Sequence, residues 1–235
     1  MKDFLVVANL KSSLVAKDLV PYLNTINECK EKNLVICPTS IYVPYFLKHN
    51  YQVGLQNIFY DDVSCTGEIN AKQASSIGIS YVIVGHSDRR KNFNETEGDI
   101  NKKIKNCLDN GLKVILCVGE SLEEKNMMKT SRVLKRQLMS DLRGINELDN
   151  IYIAYEPIWA IGTNKIPSNQ DIKEVSKYIK EIVLETNNYQ DIKVLYGGSV
   201  DENNIELIKK VPNICGVLIG HNSLDANKLL KIVES

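Results

Sequence analysis

Eight short apolar runs punctuate the chain: Phe4–Ala8, Leu34–Cys37, Tyr51–Leu55, Tyr81–Val84, Lys113–Val118, Ile151–Tyr155, Ile192–Tyr196 and Gly216–Ile219. They are nearly continuous in apolar, β-branched residues rather than alternating with polar ones. Parallel strands buried on both faces read this way. Between them the spacing becomes helical. Leu134, Leu138 and Leu142 recur at every fourth residue, and Ile172, Val175, Ile179 and Ile182 at every third or fourth. Ile100, Ile104 and Cys107 repeat the pattern, and Leu229, Leu230 and Val233 close the chain with it. Asp18, Ser121, Ser168 and Asp201 stand at or near the expected helix starts, where their side chains can accept from unpaired N–H groups.

Strands alternating with helices define an α/β class, either an open doubly wound sheet or a closed barrel. A dinucleotide-binding doubly wound sheet wants G-x-G-x-x-G after its first strand, and here that strand runs into Asn9-Leu10-Lys11. Eight β/α units in 235 residues match a (β/α)8 barrel at the compact end of its usual size. No linker, low-complexity tract or shift in composition interrupts residues 1–235, so a single domain is expected.

Composition adds constraints rather than a function. A hydrophobic content of 43% can fill a sizeable core. The formal net charge is zero, so nothing global calls for nucleic acid or an anionic membrane as partner. No stretch approaches the roughly 20 apolar residues of a membrane span. Phe4–Ala8 is too short for the core of a signal peptide. The six cysteines show no C-x-x-C pattern, and H-E-x-x-H is absent, so neither a metal site nor a disulfide framework is expected. Free thiols in the cytoplasm are the expectation.

In a β/α barrel, chemistry gathers where strands end and loops begin. Those positions hold Asn9 and Lys11, Gln56-Asn57, Gly85-His86-Ser87, Cys117 to Glu120, Glu156, Gly197-Gly198-Ser199, and Gly220-His221. Lys11 taken alone is as readily a solvated surface lysine, and His86 a satisfied structural histidine. Glu156 follows an apolar strand directly and precedes Pro157; a carboxylate poised there suits a general base. Cys117 reads as a small buried hydrophobe rather than a nucleophile. Glycines after the seventh and eighth strands let main-chain N–H groups approach a phosphate.

Asn9-Leu10-Lys11, Gly85-His86-Ser87-Asp88-Arg89-Arg90, the stretch Ala154-Tyr155-Glu156-Pro157-Ile158-Trp159-Ala160-Ile161-Gly162-Thr163, and Tyr196-Gly197-Gly198-Ser199-Val200 occur in this order. With them the chain resembles the triosephosphate isomerase family from about Asn9 to Leu224. The resemblance implies interconversion of dihydroxyacetone phosphate and glyceraldehyde 3-phosphate without cofactor or metal. It implies Glu156 as the proton-transferring base and His86 as a neutral electrophile. The family is itself a standard example of such charge-state tuning, so that logic is carried over here. Lys11 would offset the developing enediolate charge and Asn9 would donate nearby. Gly162, Ser199, Gly220 and His221 would line the phosphate site, with Pro157 to about Lys165 as a lid carrying Trp159. Thr66-Gly67-Glu68 resembles the loop with which family members enter a neighbouring subunit, implying a homodimer.

Three positions depart from the family pattern. Asp88 replaces the usual glutamate and is one methylene shorter, Asn164 stands where glycine is common, and His221 replaces a glycine after the last strand. Two other readings compete. Gly85-His86-Ser87 partly matches a hydrolase nucleophile elbow with His221 as a later base, though arginine holds its fifth position. A phosphate-binding barrel that has lost catalysis is the other.

Overall fold

Parallel pairing runs unbroken around the sheet in the computed structural model, from β1 through β8 and back to β1. The structure describes residues 4–29, 31, 33–49, 51–161 and 167–235. Gly162, Asn164 and the trailing part of the expected lid therefore lie outside the described residues.

The strands are β1 (Leu5–Asn9), β2 (Leu34–Cys37), β3 (Gln52–Leu55), β4 (Tyr81–Val84), β5 (Lys113–Val118), β6 (Ile151–Tyr155), β7 (Lys193–Tyr196) and β8 (Ile214–Ile219). The helices are α1 (Ala16–Ile26), α2 (Val43–Phe46), α3 (Ala71–Ser76), α4 (Ser87–Asn92), α5 (Glu97–Asp109), α6 (Leu122–Asn126), α7 (Thr130–Asp141), α8 (Asn169–Asn187), α9 (Ile205–Lys209) and α10 (Ala226–Glu234). The expected (β/α)8 barrel is thus the observed fold. Most strand limits differ from the apolar runs by one residue or none. β8 starts two residues early because a bulge at Cys215 carries the register from Val194–Ile214 to Leu195–Gly216.

Alternate residues of each strand serve two cores, as the pleat requires. Leu5, Val7, Val35, Cys37, Tyr81, Ile83, Ile115, Cys117, Ala154, Leu195 and Leu218 fill the barrel. Val6, Ala8, Leu34, Val82, Leu116 and Ile153 face outward into the layer shared with the helices. Continuing the inward series by two positions beyond Val7, Ala154, Leu195 and Leu218 reaches Asn9, Glu156, Gly197 and Gly220. The polar residues read at strand ends are therefore the next inward layer, at the mouth of the barrel.

Side-chain caps start several helices. Ser121 accepts from the Glu124 N–H at 3.2 Å, and Ser168 from the Asp171 N–H at 3.1 Å. Asp201 instead caps a turn, accepting from Asn203 and Asn204, and α9 begins only at Ile205. Asp18 lies inside the first turn of α1, where its carboxylate receives the Val15 N–H at 3.4 Å. No helix among the described residues is long and apolar enough to cross a membrane.

The seam between β8 and β1 has no room for a side chain at Gly216. A Cβ there would meet the Leu5 carbonyl oxygen at 2.3 Å and Leu195 Cδ2 at 2.7 Å. Gly216→Ala is expected to cost about 1–3 kcal/mol of stability by overpacking. Urea unfolding of the two proteins measures it.

Candidate active site

The end of β4 turns directly into α4, with His86 as its N-cap. The imidazole Nδ1 accepts the main-chain N–H of Asp88 at 3.1 Å. An acceptor nitrogen carries no proton, so the ring proton sits on Nε2. Nε2 lies 3.2 Å from Glu156 Oε1, and the Ser87 N–H donates to Glu156 Oε2 at 3.2 Å. Both side chains are buried, Glu156 at 4% and His86 at 8% exposure. One buried carboxylate thus accepts the Ser87 N–H and lies beside His86 Nε2.

Two backbone contacts hold Glu156 there. Its N–H donates to the Val118 carbonyl at 2.7 Å, and the Gly197 N–H donates to the Tyr155 carbonyl at 2.8 Å. A Cβ on Gly197 would meet Glu156 Cγ at 2.9 Å, and one on Gly198 would meet Tyr196 Oη at 2.0 Å. These glycines were read as phosphate contacts. They also answer a packing demand, making space for the carboxylate and for the tyrosine ring. Tyr196 Oη is buried with no hydrogen-bond partner among the described residues.

Lys11 sits opposite in a left-handed conformation, φ 48°. A non-glycine residue there costs about 1–3 kcal/mol, so its surroundings must compensate. The Lys11 N–H donates to Asn9 Oδ1 at 3.1 Å, while its carbonyl accepts from Thr39 Oγ1 at 2.8 Å and Gln56 Nε2 at 2.7 Å. The ammonium reaches Asp88 Oδ2 at 2.8 Å. The aspartate's missing methylene is therefore absorbed, and the pair forms. Burial is the largest influence and opposes the charge on Asp88, but the Lys11 hydrogen bond and the nearby positive charges, Lys11 and Lys91 among them, together outweigh it and hold the carboxyl below its ordinary value.

The strand end of β5 contributes a second buried carboxylate. Glu120 receives Trp159 Nε1 at 2.8 Å and Tyr155 Oη at 3.1 Å, while Lys125 lies 3.3 Å over the tryptophan ring. Burial pushes the Glu120 carboxyl up despite these partners. Trp159 is thus tied to α6 and β5 at the leading edge of the expected lid. Cys117, inside the barrel, behaves as the buried hydrophobe expected: burial, aided by the charge of Glu156, pushes its thiol well above the ordinary value.

On the other side of the mouth, Ser199 Oγ donates to the Ala160 carbonyl at 2.8 Å. Gly220 follows β8 close to Lys11, whose Cε lies 3.8 Å from a Cβ built there. His221 is exposed and opens the short 3-10 turn His221–Leu224. Asn9, Lys11, His86 and Glu156 come together with Ser199 and Gly220 on one rim; Gly162 falls outside the described residues. Arg90, Gln137 and Tyr196 were given no role by sequence reasoning. Gln137 brackets Gly119, accepting its N–H at 3.0 Å and donating to its carbonyl at 3.3 Å.

Fold and site together define a β/α-barrel enzyme with acid–base groups at the C-terminal rim. The family model for triosephosphate isomerase matches residues 4–235. A triosephosphate isomerase of Alkaliphilus oremlandii is 36% identical, with all of both chains covered. One of Aquifex aeolicus is 38% identical over 98% of each chain, and one of a Wolbachia from Brugia malayi is 40% identical over 99% of this chain and 97% of its own. The chain belongs to the triosephosphate isomerase family, and is an isomerase.

Gly119, just after β5, packs directly against the main chain of Glu156. A Cβ there would lie 1.8 Å from the Glu156 carbonyl oxygen and 2.6 Å from its carbon. Gly119→Ala must push Glu156 aside, and a displacement of about 1 Å is expected to lower kcat about 10²-fold. Steady-state kinetics beside a thermal melt checks this and separates it from unfolding.

Proposed function

We propose that the chain interconverts dihydroxyacetone phosphate and glyceraldehyde 3-phosphate, with Glu156 as the base. Glu156 takes a proton from the carbon beside the carbonyl and returns it to the neighbouring carbon. His86, with its proton on Nε2, donates to the carbonyl oxygen and passes protons between the two oxygens of the enediolate. Lys11 supplies positive charge against the enediolate and the phosphate, and Asn9 donates alongside it. The observation that carries this reading is the 3.2 Å approach of His86 Nε2 to Glu156 Oε1. Glu156 has to leave the Ser87 N–H when substrate arrives.

The phosphate is placed at Ser199, Gly220 and His221, completed by Gly162. Main-chain N–H groups carry that binding, so the His221 side chain points away from the anion. Closure over Trp159 and its neighbours keeps water from the enediolate, whose elimination would otherwise expel phosphate. The reaction is a step of glycolysis and, reversed, of gluconeogenesis. A cytoplasmic setting is supported by six free cysteines.

A homodimer is proposed on the loops after β1, β2 and β3. Val15, Ile41, Tyr45 and Val63, in the segments after those strands, are 50–71% exposed, and Thr66-Gly67-Glu68 is exposed as well. These loops follow consecutive strands of the barrel, so the apolar side chains belong to one side of its rim.

Turnover of glyceraldehyde 3-phosphate by the purified chain, beside Glu156→Gln, tests the function. Strong wild-type activity should fall by about 10²–10⁴ in the variant. Equal rates would remove Glu156 from its role. No turnover at all would favour a barrel that only binds phosphate, and ester cleavage abolished by Ser87→Ala would favour the hydrolase.

A further inference from the structure

Arg90 lies one turn beyond His86 on α4, and its guanidinium joins four groups. Nε donates to the Gly85 carbonyl at 2.7 Å, and Nη2 donates to the Cys117 carbonyl at 3.1 Å. Nη2 also meets Asp141 Oδ2 at 2.8 Å, while Nη1 pairs with Glu97. The first two contacts tie the end of β4 to the end of β5. Gly85 is the residue before His86 and turns left-handed, φ +69°, with Arg90 Nη2 only 3.0 Å from where a Cβ would stand. Whatever orients Arg90 therefore orients the turn that presents His86.

Asp141 is the last residue of α7 and is wholly buried. It falls one turn after Gln137, on the helix face that otherwise carries Leu134 and Leu138. A polar side chain at such a position needs partners, because a buried unpaired charge is costly. The charged groups facing it come from α4 and α5, namely Arg90 and Glu97. Arg136, on its own helix, reaches Glu97 at 3.9 Å. Asn101 of α5 holds the Asp141 main-chain carbonyl at 2.8 Å.

We propose that Asp141 is a positioning residue of the active site: it holds the Arg90 guanidinium against the Gly85 and Cys117 carbonyls, and Gly85 in turn fixes His86 toward Glu156. The proposal rests on the role assigned to His86 above. One guanidinium and two carboxylates make a buried trio. Among the described residues no N–H or O–H donates to Asp141 Oδ1, and its side chain lies within hydrogen-bonding contact of Glu97. Two carboxylates so placed share a proton. Burial, opposed by Arg90 and reinforced by Glu97, lifts the Asp141 carboxyl to about 8. With a proton shared between the two carboxylates, Asp141 accepts from Arg90 and the trio is electrically neutral. Above that pH a second buried negative charge competes for the guanidinium.

An amide can replace such an acid, accepting through oxygen and donating through nitrogen. Asp141→Asn and Asp141→Ala are compared with the wild type by kcat and KM for glyceraldehyde 3-phosphate from pH 6 to about pH 9.5, with thermal melts. At pH 7 Asn should keep kcat within about threefold, and Ala should lose about tenfold in kcat with KM nearly unchanged. The wild type should lose kcat as pH rises through about 8, and the Asn variant should not. Wild-type kcat in the Ala variant, an Asn variant as impaired as Ala, or the same alkaline loss in Asn would each overturn the proposal. Should Ala not fold, the Asn pH profile decides. Full turnover by His86→Gln, or none by the wild type, would instead remove the reading of the site, and the proposal with it.

Discussion

One hydrogen bond, from the Asp88 N–H to His86 Nδ1, determines what the rest of the site can do. It uses a donor that α4 would otherwise leave unpaired at its first turn. By occupying Nδ1 it leaves the ring proton on Nε2, where it faces Glu156. The same residue, Asp88, then turns its carboxylate to Lys11. A single helix start therefore sets the histidine tautomer, holds the Glu156 carboxylate and anchors Lys11. Its own support comes from below, where Arg90 holds the Gly85 carbonyl.

The barrel supplies the precision this arrangement needs. Its strands meet in register, and glycines let main chains and side chains approach where Cβ atoms would collide: Gly119 against the Glu156 carbonyl, Gly197 against Glu156 Cγ. Strain is accepted at Lys11 and offset by donors from Thr39 and Gln56 to its carbonyl and by Asn9 at its N–H. Three separate strand ends thus hold one residue in a conformation it would not choose alone. Small errors at any of these contacts move reacting groups by a fraction of an ångström, which is why the mouth is built from strand ends rather than free loops.

Much of this was legible in the chain. Continuous apolar runs announced parallel strands, and the period-two pleat carries their inward series on to Asn9, Glu156, Gly197 and Gly220. What the sequence concealed has physical reasons. Asp88 read as one methylene shorter than the family's residue, and whether it reaches a partner depends on the backbone, whose reach a sequence does not show. The glycines after β7 read as anion contacts, and the sequence did not show that Cβ atoms there would also meet Glu156 and Tyr196. Gln137 and Asp141 left a faint signal, as polar residues on the Leu134–Leu138 face. Their targets, Gly119 and Arg90, lie 18 and 51 positions away in the chain. Spacing along one helix does not reveal such partners.

The central claim is that His86 enters the reaction as a neutral ring with its proton on Nε2. Nitrogen-15 NMR of the histidine rings at neutral pH, assigned by comparison with His86→Gln, measures this directly. The account predicts a protonated Nε2 and an unprotonated Nδ1 for His86. A ring protonated on Nδ1, whether as the other tautomer or as imidazolium, would contradict it.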